Sequence, residues 1–161
     1  NNPNLHINAG FDNLKFTSLM KCCMNGDESF AVARKILNHP KLDITIENKY
    51  GQHCLHYLCS CATPKIGRIM FKKPNINTLL NQQDNKQQTP LDWVIYRVKA
   101  KSADIKYVTV WNMMVKQGAT LNKFKTHYNN LKSSAFTEPY SDYVDLIKGN
   151  PPNDDTRQEK E

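Results

Sequence analysis

The chain has 161 residues with 22 Lys and Arg against 15 Asp and Glu, a net charge of +7, and 39% hydrophobic residues. That length gives one domain with a buried core, and no run is long and apolar enough to cross a membrane. Five cysteines, an odd number, argue against a disulfide framework and for free thiols in a reducing compartment, cytoplasm or nucleus.

In chain order, Asn1 to Ile7 reads as the closing segment of a structural unit, and the opening on Asn without an initiator Met suggests a piece of a longer protein. A polar turn from Asp12 then feeds a helix through Thr17, Ser18 and Leu19, and Phe30, Ala33, Ile36 and Leu37 recur at helical spacing behind the turn glycine Gly26. The pattern repeats. Asn48 to Leu55 has the same build, followed by Thr63 and Pro64 as cap and first position of a helix carrying Ile66, Ile69 and Met70. Asp84 to Leu91 repeats it again, and Val108, Trp111, Met114 and Val115 predict an amphipathic helix closed by Gly118.

Leu19, Leu55 and Leu91 stand 36 residues apart, and Cys22 and Cys23 fall in register with Leu58 and Cys59 and with Val94 and Ile95. A fixed period of this size marks one small supersecondary unit copied along an axis, each copy burying its apolar face on the next. Thr137 to Pro139 predicts a further helix start, with Val144, Leu146 and Ile147 as a core face stopped by Gly149. Residues 150–161 carry almost nothing to bury and are expected to be a disordered, charged tail.

These stretches resemble the ankyrin repeat. The third copy carries Asp84, Thr89, Pro90 and Leu91 and closes on Gly118 and Ala119; the second carries Gly51, Leu55 and His56; the first carries Asp12, Thr17, Leu19 and Gly26, with Asp43 near its end. The resemblance implies an all-α ankyrin-repeat solenoid of stacked turn-helix-helix units. Its domain would span 1–149, with repeats at 12–47, 48–83 and 84–122, a partial unit before them and capping helices over 123–149. It also implies that His56 braces the neighbouring turn by bonding to backbone, with Thr89 doing so through its hydroxyl. Two departures stand out. Lys15 and Gln87 replace the family's turn glycine, and an insertion, Arg97 to Lys106, lengthens the third copy.

Candidate chemistry centres on His53, Cys54, His56, Cys59 and Cys61. Zinc would accept such donors, but the spacing fits no standard finger and Cys59 belongs to the buried register, so structural roles are preferred and no metal or cofactor is expected. No phosphate-cradling loop, metalloprotease helix or nucleophile elbow is present, and a Cys near a His on one helix is usually idle. The chain is read as non-enzymatic.

The resemblance places turn tips and outer first-helix positions on a concave binding face. Tips are Asn13, Leu14 and Phe16, then Lys49, Tyr50 and Gln52, then Asn85, Lys86 and Gln88; helix positions are Lys21 and Met24, Tyr57 and Ser60, and Trp93, Tyr96 and Arg97. Aromatics and Arg are favoured at interface hot spots. The expected function is therefore a monomeric protein-binding scaffold whose strip from Leu14 and Phe16 through Tyr50, Tyr57, Trp93 and Arg97 grips an acidic peptide or domain edge. The alternatives are nucleic-acid or anionic-lipid binding through Arg68, Lys72, Lys73, Lys99 and Lys101, or a dimerisation block of a larger chain.

Overall fold

The computed structural model describes residues 6–100 and 105–123. The capping helices expected over 123–149, apart from Lys123, and the tail at 150–161 lie outside the described residues, as do Asn1 to Leu5 and positions 101–104. Among the described residues the fold is all-α: α1 (Ser18–Met24), α2 (Phe30–Leu37), α3 (Cys54–Cys61), α4 (Pro64–Met70), α5 (Pro90–Ala100) and α6 (Ile105–Lys116), with short 3-10 turns at Asp27–Ser29 and Ile76–Thr78.

Local chemistry sets the helix starts. The Thr17 hydroxyl accepts from Met20 N at 3.3 Å, His53 Nδ1 accepts from Leu55 N at 3.2 Å, and the Asp92 carboxylate accepts from Thr89 N at 2.9 Å. Each satisfies an amide that the first turn would leave open. Gly118, at φ +94°, ends the last pair, with Ala119 N donating to the Met114 carbonyl at 3.0 Å.

The helices pack as successive pairs, α1 with α2, α3 with α4 and α5 with α6. Each first helix packs on the next, α1 on α3 and α3 on α5, while α2, α4 and α6 form a second layer in the same order. Between the layers, Leu19, Leu55 and Leu91 are at most 2% exposed. Cys22, Cys23, Leu58, Cys59, Val94 and Ile95 are buried with them, as the 36-residue register requires. Gly67 lets the layers close: a Cβ there would stand 3.0 Å from Met113 Cε and 3.2 Å from Leu58 Cδ1.

Some details differ from expectation. Ile69, Val108 and Val115 are half-buried, while Val110 joins the expected Trp111 and Met114 as the buried positions of α6. Met20, buried to 1% exposure, belongs to the core although no repeat position announced it. The insertion is absorbed partly by helix: α5 has 11 residues against 7 in α1 and 8 in α3.

Candidate functional site

The turns before α1, α3 and α5 share one side-chain clamp, although in the first Asp12 itself is left-handed, at φ +64°, and the closing backbone bond comes from Phe11. Asp12, Asn48 and Asp84 each accept, through a side-chain oxygen, the amide two residues on, at Leu14 (2.8 Å), Tyr50 (2.9 Å) and Lys86 (2.8 Å). Asn48 and Asp84 also accept the amides of Gln52 and Gln88. The residue immediately after each of Leu14, Tyr50 and Lys86 is left-handed: φ is +62° at Lys15, +69° at Gly51 and +61° at Gln87. The two turns lacking glycine thus keep the glycine conformation and carry the associated strain.

Consecutive turns are joined by backbone. Lys49 N donates to the Leu14 carbonyl at 3.0 Å and Asn85 N to the Tyr50 carbonyl at 2.9 Å. Asn85 Nδ2 donates to the Lys49 carbonyl and Asn122 Nδ2 to the Gln87 carbonyl. Leu14, Tyr50 and Lys86 therefore ride on successive linked tips, all exposed.

Three tip residues expected on this surface turn inward. Phe16, Gln52 and Gln88 are buried, at 8%, 9% and 5% exposure. The carbonyl of each closes its turn onto an amide, at Phe11, Asn48 and Asp84 respectively, which directs the side chain back toward the helix layer. Phe16 packs on Tyr57 with ring centroids 5.4 Å apart, and Gln52 Oε1 accepts from both Asn48 Nδ2 and the Tyr57 hydroxyl. Tyr57 is half-buried as a result, its hydroxyl pushed up to about 12 by desolvation. Trp93 is also half-buried, donating through Nε1 to the Asp84 carboxylate at 3.1 Å.

Around Trp93 lies the most organised part of the face. The Arg97 guanidinium carbon stands 6.0 Å from the Trp93 and Tyr96 ring centroids, and the two rings meet edge to face at 5.7 Å. Arg97 Nε donates to Ser60 Oγ at 3.0 Å, and Tyr107 donates to the Ser60 carbonyl at 2.9 Å. The guanidinium is thereby held between α3 and α5, with Tyr107 of α6 bracing Ser60, and it stands beside Tyr96, which is 48% exposed. Ser60 and Tyr107 carried no sequence signal for this role, because it depends on neighbouring units. Asp92 did: Thr89-x-x-Asp92 is a capping pair, and its carboxylate also accepts the amides of Asn122 and Lys123, bracing the following turn.

The His and Cys cluster lies beneath this face. His56 Nε2 donates to the Gln88 carbonyl at 3.1 Å while its Nδ1 accepts from His53 N at 3.2 Å. The Thr89 hydroxyl donates to the Thr120 carbonyl at 2.8 Å. Desolvation holds the His56 imidazolium down at about 4 and that of His53 at about 2, where the neighbouring His56 adds repulsion. His53 Nε2 is buried, and the Leu79 carbonyl on its side falls short of hydrogen-bond geometry.

Burial also pushes up the Cys23 and Cys59 thiols and raises Cys54 to about 12, with Cys54 Sγ against the Ile44 carbonyl at 3.5 Å. Such thiols hold almost no thiolate at neutral pH. Among the described residues no three His, Cys, Asp or Glu side chains converge as a metal-holding group.

An open cleft of about 570 Å³ lies elsewhere, between Leu37–Thr45 and Lys73–Asn75. Its carboxylate, Asp43, is engaged by the Thr45 amide and hydroxyl, which hold it below the usual range. No described helix is long and apolar enough to cross a membrane. Comparison of the chain with family models, with curated proteins and with solved structures returned no match.

Proposed function

We propose that the chain is an ankyrin-type solenoid acting as a non-enzymatic, monomeric protein-binding scaffold inside the cell. The observation that carries this reading is the succession of linked turns, each presenting its tip residue at the same place. A stack with that regularity offers an extended surface in place of a chemical pocket. The binding strip is Leu14, Tyr50, Lys86, Trp93, Tyr96 and Arg97, with Phe16, Tyr57, Gln52 and Gln88 supporting it from below. Its chemistry suits an extended acidic segment: exposed rings supply area, and Arg97 supplies a preorganised cation.

Single substitution of Tyr50, Tyr96 and Arg97 by Ala tests the strip. Proteins captured from extract of the source cells by the parent chain are identified by mass spectrometry and compared with those captured by each variant, with folding checked by circular dichroism. Loss of the same partner in all three folded variants is expected. Undiminished capture by all three would remove the strip as the site.

A further inference from the structure

The second-helix layer is charged in one sign only. Helices α2, α4 and α6 carry Arg34, Lys35, Lys65, Arg68, Lys106 and Lys116 and contain no Asp or Glu. The carboxylates nearest to this layer are Asp27 and exposed Glu28, in the 3-10 turn that precedes α2 and packs against both α2 and α4; neither forms an ion pair with the basic side chains of the layer. On the central helix the solvent-facing stripe is Lys65, Arg68 and, one turn on, Lys72, at the i, i+3, i+7 spacing of one face. α4 packs between α2 and α6, which carry exposed Arg34 and Lys35 on the one helix and exposed Lys116 on the other. None of Arg34, Lys35, Lys65, Arg68, Lys72 and Lys116 meets a carboxylate among the described residues.

We propose that this layer is a docking surface for an anionic lipid bilayer, separate from the peptide-binding strip and independent of it. Charge complementarity names a polyanion, and shape and composition select the bilayer. Three helices side by side at ordinary spacing span about 20 Å between the outer axes, broader than the roughly 12 Å major groove that admits a single helix. Rings that could stack on bases are withdrawn, with Trp111 in the core and Phe30 and Tyr107 packed against it. Val32 is 56% exposed beside Arg34 and Lys35, and Ile105 is 47% exposed beside Lys106, giving the basic surface apolar points that can enter the headgroup region.

The test is cosedimentation of the full chain with phosphatidylcholine vesicles, with and without about 30% phosphatidylserine, across a salt series. The parent chain is expected to bind only the anionic vesicles, and to release them as salt rises. The triple variant Lys65→Glu, Arg68→Glu, Lys72→Glu alters exposed side chains only and should weaken binding about a hundredfold or more. A second triple variant, Lys15→Glu, Lys49→Glu, Lys86→Glu, makes the same charge change on the turn tips and should bind several times more tightly than the first.

Equal loss in both folded variants would mean that net charge alone drives adsorption, and would overturn the proposal. So would failure of the parent chain to prefer phosphatidylserine. Tighter binding to a random-sequence DNA duplex than to the vesicles would replace the bilayer with nucleic acid.

Discussion

His56 donates its Nε2 proton to the carbonyl of Gln88, 3.1 Å away, and so ties the first turn of α3 to the turn that starts the next unit. The carbonyl can only accept, so the ring must be neutral with its proton on Nε2, leaving Nδ1 to receive the His53 amide. One side chain thus serves both its own helix start and its neighbour. His56→Ala is expected to destabilise the fold by about 2–4 kcal/mol, from a cavity plus orphaned buried partners. Urea unfolding would measure it as a lower midpoint.

Stability should fall on acidification. Both His53 and His56 are depressed below the ordinary 6.5, to about 2 and about 4, so the unfolded chain takes up two protons that the fold refuses. Their neutral-state contribution is complete above pH 6.5 and declines as pH drops, by about 1.4 kcal/mol per pH unit for each ring. The His56 share is exhausted near pH 4 and the His53 share near pH 2. Asp84 and Asp92 soften the His56 shift without cancelling it. Urea midpoints at pH 7 and pH 5 should differ by the equivalent of about 2–4 kcal/mol, and His56→Gln should flatten the dependence.

The strained tips give opposite signs at two equivalent positions. Gln87→Gly relieves a left-handed non-glycine residue and should stabilise by about 0.5–1 kcal/mol, after the entropy that glycine loses. Gly51→Ala should destabilise by about 2 kcal/mol or more, because the added Cβ would meet Asn85 Oδ1 at 2.6 Å in addition to the backbone strain at φ +69°. Thermal melts of the two variants would show shifts in opposite directions.

Thiol reactivity should be ranked by burial. Cys23, Cys54 and Cys59 are enclosed and their thiols are pushed up by desolvation, while Cys61 is partly exposed at the end of α3. Brief treatment with iodoacetamide at neutral pH is expected to modify Cys61 first in the folded protein, and all five cysteines in urea. Peptide mass spectrometry reads the order; early modification of Cys54 or Cys59 would contradict the buried assignment.

The core was legible because it depends on spacing. Leu19, Leu55 and Leu91, with the pairs three and four residues later, need only the helical period and the 36-residue register to be placed. Helix starts at Thr17 and Thr63-Pro64 were equally local, although Thr63 Oγ1 turns out to be buried with no hydrogen-bond partner. The candidate face was harder, since a residue at a turn tip can be sent outward or back by bonds that a single unit does not contain. Phe16 turned inward because Tyr57 of the following unit receives it, and Gln52 because Asn48 and Tyr57 both reach its amide oxygen. The Arg97 site was half visible: Trp93 and Tyr96 lie on its own helix, but Ser60 reaches it from α3, itself braced by Tyr107 of α6.

The turn-to-turn bonds from Lys49 to Leu14 and from Asn85 to Tyr50 use only amides and carbonyls. They act as a ruler that side chains do not calibrate. Leucine, tyrosine and lysine can occupy equivalent tips without altering the interval between them, so binding preference is free to drift under mutation while the pitch of the display stays constant.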